Sequence, residues 1–101
     1  MLKDLKVKWV KALRSGKYHQ GKGKLKKKNG NGKTYYCCLG VLRELDPMIK
    51  GIGNQVLSIE DENYCKINFV IQNHLVGMND GRLDSPRFNF KEIATWIEKN
   101  L

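Results

Sequence analysis

The stretch YCCLGVLREL, residues 36 to 45, followed by Asp46-Pro47, decides how this chain of 101 residues folds. Tyr36, Cys37, Leu39, Val41, Leu42 and Leu45 are apolar at a density that a surface segment does not carry. A residue that precedes proline is pushed out of helical geometry, so the segment must stop at Asp46. The pattern predicts a short buried helix, against which the rest of the chain has to pack.

Upstream, Leu5, Trp9, Ala12 and Leu13 fall at the three-to-four-residue spacing of one helix face, with Val7 and Val10 flanking it and lysines filling the other side. This predicts a helix over about 5 to 15, capped by Asp4 and closed by Gly16. Between the two helices lies KYHQGKGKLKKKNGNGKTYYC, residues 17 to 37. Its Asn29-Gly30 and Asn31-Gly32 pairs are turn signals that predict a small, basic, exposed hairpin.

Downstream, MIKGIGNQ (48 to 55) reads as a loop. Residues 55 to 64 admit two readings: a short strand over Gln55 to Ile59, or a helix begun by Ser58 with Asp61. Glu60, Asp61 and Glu62 look like a solvated acidic turn. Ile67, Val70, Ile71, Leu75 and Met78 return to helical spacing, ending at Gly77 or in an Asn79-Asp80-Gly81 turn. Asn89 with Glu92 has the form of a capping box, Phe88 and Ile93 stand as a hydrophobic staple, and Phe90, Ile93, Ala94, Trp96 and Ile97 supply a buried face for a helix over about 90 to 99. The expected fold is mainly α with a small β-hairpin (α+β), one compact domain of about four helices spanning residues 1 to 101.

The net charge of +9 is unevenly placed. Residues 1 to 34 hold twelve Lys or Arg against the single acid Asp4, and the remainder holds seven basic and nine acidic residues. So many like charges repel one another, and a bound polyanion relieves the repulsion. The three cysteines are odd in number and two are adjacent, which suits neither a disulfide framework nor a paired zinc site. No apolar run is long enough to span a bilayer, and no signal peptide opens the chain, so a cytoplasmic protein with reduced thiols and no membrane partner is expected.

Within the basic region, residues 14 to 28 carry the parts of a phosphate cradle: glycines that let backbone N–H groups approach an anion, and several cations within short reach. The spacing is not that of a P-loop or a dinucleotide fingerprint. Tyr18 and Tyr35 are candidate stacking platforms, whereas Tyr36, Trp9 and Trp96 read as core. Nothing in the sequence sets His19 or His74 beside a cysteine, and no catalytic group, metal or cofactor is expected.

Three strings, WVKALRSGKYHQGKGKL (9 to 25), YCCLGVL (36 to 42) and MNDGRLDSPRFNFKEIATWIE (78 to 98), together resemble a widespread family of small bacteriophage proteins. That family is in turn similar to the phage anti-CBASS sponges, which bind cyclic oligonucleotide signals of bacterial defence without cleaving them. Residues 47 to 66 depart from the pattern, lacking its Leu-Pro start and Gly-Leu end. The resemblance implies a homo-oligomer in the cytoplasm of an infected bacterium, with 3′3′-cyclic GMP–AMP or a relative as ligand. Such a ligand needs cations, a stacking ring and amide groups. Arg14, Lys17, Lys22 and Lys24 are the candidates for phosphate, Tyr18 or Tyr35 for stacking, Gln20 and Asn79 for base edges, and Gly21 for close backbone approach. A small basic nucleic-acid-binding protein and an inhibitor docking on an acidic host enzyme are the alternatives.

Overall fold

Helix α2 (Cys38–Leu45) sits at the centre of the molecule, with Cys38, Leu39, Gly40, Val41 and Leu42 all buried. The computed structural model describes residues 1–54, 57–81 and 86–101. Around α2 lie α1 (Lys3–Arg14), α3 (Ile59–Cys65), α4 (Phe69–Asp80) and α5 (Phe90–Asn100), together with three short strands, β1 (His19–Gln20), β2 (Lys26–Lys28) and β3 (Thr34–Tyr36). Among the described residues this is a small α+β domain of five helices and one sheet.

Helix α1 turns Leu5, Trp9, Val10 and Leu13 inward and packs mainly along α5, whose Phe90, Ile93, Ala94 and Ile97 are buried. Each of the Leu, Val, Ile and Phe side chains among them contributes about 1.5–3 kcal/mol on full burial. Trp9 also fixes the position of α1 on α2, because its buried indole N–H donates to the Cys38 carbonyl (2.9 Å). Asp4 does not cap this helix: Leu2 is the N-cap and makes no side-chain cap bond, and Asp4 lies within the first turn, where its charge faces the positive end of the helix dipole. Gly16 takes a positive φ of 75° just past the end, as a closing glycine should.

The basic segment folds as expected and then further. Strands β2 and β3 pair antiparallel across residues 29 to 33. A third strand, β1, pairs parallel to β3 on its other edge, giving the order β1-β3-β2. The sheet meets α2 at Gly40, where an added Cβ would stand 1.7 Å from the Leu25 carbonyl oxygen. That carbonyl accepts from the Cys37 N–H (3.3 Å), and Leu25 is fully buried, so the backbones touch at a place where only glycine fits.

The alternatives over residues 55 to 64 resolve toward the helix. Ser58 and Asp61 form a complete capping box that starts α3, while Gln55 and Val56, the first residues of the strand reading, lie outside the described residues. Asp61 is 1% exposed and not a solvated acid. Its carboxylate accepts from the backbone N–H groups of Lys50 (2.9 Å), Gly51 (2.6 Å) and Ser58 (2.8 Å), and so fastens the 46–54 loop to α3. Helix α4 runs through Asn79 and Asp80, which are therefore helical and not a turn. Val70, expected on its buried face, is 73% exposed.

Two predictions follow from these contacts. Gly40→Ala should cost about 1–3 kcal/mol by overpacking and lower the melting temperature by at least about 5 °C. Gly30→Ala, which meets nothing within 4 Å, should leave it unchanged. Burial opposes ionisation of Asp61, but the N–H groups of Ser58, Lys50 and Gly51 outweigh it and hold its pKa below the ordinary value. Its contribution to stability is thus complete above the unfolded-state pKa of about 3.9 and is lost as pH falls through the lower folded value. Urea denaturation from pH 7 to pH 2.5 should show wild type losing its advantage over Asp61→Asn across that acid range; parallel pH profiles would contradict the assignment.

Candidate functional site

In the sheet, directly paired residues point to the same side. Gln20, Tyr36 and Lys26 share one face. On it Tyr36 packs against the core and against Tyr18, edge to face at 5.3 Å, while Lys26 bonds Glu44 (3.1 Å) with its ammonium 5.9 Å from the Tyr36 ring. Burial, followed by the neighbouring Glu44 carboxylate, pushes the Tyr36 hydroxyl pKa up, so it stays protonated and donates to Glu44 (3.2 Å).

The opposite face carries His19, Tyr35 and Lys27, one from each strand in a single row. The His19 and Tyr35 rings lie 5.7 Å apart, tilted by 43°, and His19 and Lys27 are exposed. Tyr35 is half-buried, and Gly21 lies close enough that a Cβ there would come 2.8 Å from the Tyr35 Cβ. Around this row the exposed lysines are Lys17 before β1, Lys22 and Lys24 between β1 and β2, and Lys33 in the hairpin loop, while Lys26 and Lys28 alternate with Lys27 and face the other side of the sheet. The face offers two adjoining rings and a set of cations that are unpaired among the described residues, a combination suited to a flat heterocycle carrying phosphate.

The expected glycine cradle is occupied from within. The Gly21 N–H donates to the Tyr36 carbonyl (2.7 Å), and the Gly23 N–H donates to both oxygens of Asp80 (3.3 and 3.2 Å). The anion this loop holds is the protein's own carboxylate, so phosphate of a ligand has to be met by lysine side chains.

Asn79 and Gln20 serve the same internal network. Asn79 is fully buried: its Oδ1 accepts from Gln20 Nε2 (3.1 Å) and the Cys38 N–H (3.2 Å), and its Nδ2 donates to the Gly21 carbonyl (2.8 Å) and Asp80 Oδ1 (2.8 Å). With both ends used and no exposed surface, Asn79 cannot read a base edge in this structure. Gln20 also donates to the Phe88 carbonyl (2.8 Å), and Arg87 to the carbonyls of Asn79 (2.8 Å) and Gly21 (3.2 Å). Arg14 points elsewhere. It forms a two-pronged pair with Glu98 (3.0 and 3.2 Å), whose hydrogen bond raises the Arg14 pKa and lowers that of Glu98.

Of the residues expected at a ligand site, Lys17, Lys22, Lys24 and Tyr35 are therefore available on or around the sheet. Tyr18, Gln20, Gly21 and Asn79 build the scaffold behind it, and Arg14 lies on α1 against α5. His19 and Lys27 were not anticipated in this role. The signal for them is the period-two alternation around Tyr35 combined with a strand of only two residues, too short to stand out from a loop.

The cysteines are structural. Cys37 caps α2 by accepting from the Gly40 N–H, Cys38 donates to the Leu75 carbonyl, and Cys65 donates to the Asp61 carbonyl. Burial raises the pKa of all three, Cys38 most strongly, which keeps them as thiols.

Replacing Asn79 by Ala should leave the buried Cys38 N–H unsatisfied, remove the bonds to half-buried Gln20, Gly21 and Asp80, and cost on the order of 3 kcal/mol in urea denaturation. A loss under about 0.5 kcal/mol, typical of a surface change, would show that the network does not hold these elements together.

No curated protein and no solved structure matches the chain. The model of one family matches residues 1–71, the span that includes α1, the whole sheet, α2 and α3. The protein thus belongs to the family described as Domain of unknown function (DUF8296).

Proposed function

We propose that this protein binds and sequesters a cyclic oligonucleotide signal, of the class of 3′3′-cyclic GMP–AMP, on the outer face of its small sheet and releases it unchanged. The observation that carries the reading is the His19–Tyr35–Lys27 row, ringed by exposed lysines and free of acidic side chains at its paired positions. A cyclic dinucleotide presents two purine faces and two phosphodiesters within a compact body. Tyr35 and His19 stack one base, and Lys27 with Lys22 or Lys24 meets the phosphates. Binding by stacking and charge needs no reacting group. The likeness of the three sequence strings to phage anti-CBASS sponges supports the ligand class, the homo-oligomeric assembly and an action in the cytoplasm of an infected bacterium.

One observation favours a second reading, binding to a nucleic acid. Lys26, Lys27 and Lys28 run consecutively along edge strand β2, all exposed, and although Lys26 bonds Glu44, Lys27 and Lys28 remain to meet a polyanion along the edge. The two differ in salt dependence. Each neutralised phosphate of a polymer adds roughly 0.7 to 0.9 to the log–log slope of affinity against salt, and a ligand with two phosphodiesters stays shallow.

The test is depletion of free 3′3′-cyclic GMP–AMP, and of a panel of other cyclic di- and trinucleotides, by purified protein, followed by heat denaturation and recovery. The expected result is stoichiometric depletion, intact ligand on release, and a loss of about tenfold or more in affinity for Tyr35→Ala, since one stacked base contributes about 1–3 kcal/mol. Failure to deplete any member of the panel, or recovery of linear product, would overturn the proposal. Steep salt dependence on an oligonucleotide with no cyclic ligand bound would establish the second reading.

A further inference from the structure

Away from the sheet, a groove of about 690 Å³ runs along α1 beside Glu98 of α5. Its wall is the stripe Lys3, Lys6, Val7, Val10, Lys11 and Arg14, spaced three or four apart and therefore aligned along the helix axis for ~16 Å. Val7 is 61% exposed and forms the open apolar floor, beside Val10, which is turned into the core. Two cations stand at one end of the floor and two at the other. Glu98 is the acid in the wall, and Arg14 already neutralises it.

We infer that this groove docks an acidic amphipathic helix of a partner protein, with its apolar stripe centred on Val7 and its Asp or Glu residues against Lys3, Lys6 and Lys11. Charge complementarity and shape select this occupant. Lys3, Lys6 and Lys11 are spread over about two turns, so one carboxylate head of a small amphiphile satisfies only one end, whereas acids at successive turns of a helix meet both. The floor is aliphatic and offers no ring for a base to stack on. None of the wall residues belongs to the sheet, so this surface and the nucleotide face can be occupied together.

The test titrates the full chain against a fluorescein-labelled helical peptide carrying leucines at i, i+3/i+4 and i+7 among glutamates. Three controls accompany it: a scrambled peptide of equal composition, sodium laurate, and vesicles of phosphatidylserine in phosphatidylcholine. Anisotropy reports affinity and backbone amide shifts report the place. The expected result is binding of the amphipathic peptide at least tenfold tighter than the scrambled one, shifts centred on Val7, Val10 and Lys11, and a tenfold or greater loss for Val7→Asp, an exposed position where the fold tolerates the change. Lys6→Glu with Lys11→Glu should weaken binding similarly. Overturning results are no binding up to about 1 mM, equal affinity for the scrambled peptide, shifts centred on residues 17 to 35, indifference to Val7→Asp, or preference for laurate or vesicles at the same residues.

Discussion

A buried carboxamide carries more of this architecture than any apolar contact does. Asn79, at the end of α4, closes hydrogen bonds to Gln20 on β1, to the Gly21 carbonyl in the loop after it, to the first N–H of α2 at Cys38, and to Asp80 beside it. A two-residue strand and the mouth of a buried helix have little to hold them locally, and the carboxamide supplies donor and acceptor to both at once. Burial raises the stakes: remove the side chain and the Cys38 N–H at the start of α2 is left buried without a partner. Gly40 completes the joint from the other side by letting the Leu25 backbone close onto α2.

That joint dictates what remains for a ligand. The glycine loop of residues 21 to 23 has its N–H groups committed to Tyr36 and Asp80, so it works as a rigid mount and not as an anion cradle. Rigidity places Tyr35, pressed against Gly21, beside His19. The cations that outnumber acids in the first third then divide by location. Those of residues 17 to 33 surround the sheet, while Lys3, Lys6, Lys11 and Arg14 line α1. A single excess of charge in the sequence thus becomes two surfaces of different chemistry, one with aromatic rings and one with an aliphatic floor.

Much of the fold was legible because its signals are local. Asn89 and Glu92 announce α5 by a reciprocal cap, the Asn-Gly pairs announce the hairpin, and the apolar density of residues 36 to 45 announces a buried helix. What stayed hidden depends on partners remote in sequence. Asp61 looks like one of three solvated acids until the loop of residues 50 and 51 brings two N–H groups to it. Asn79 looks like a turn residue until β1 and α2 converge on it. Arg14 looks like a phosphate ligand until Glu98, 84 residues away, takes it. For the site, the basic segment and Tyr35 could be read directly. The row with His19 and Lys27 could not, because it exists only in the register of a mixed sheet.

A cyclic dinucleotide is proposed to bind the outer sheet face and no other surface. Mapping backbone amide shifts on the full chain during titration with 3′3′-cyclic GMP–AMP tests it most directly. The largest shifts should fall on residues 17 to 28 and 33 to 35, with His19, Tyr35 and Lys27 foremost and α3 silent. Shifts absent at saturating ligand, or centred on α1 and α5, would contradict it.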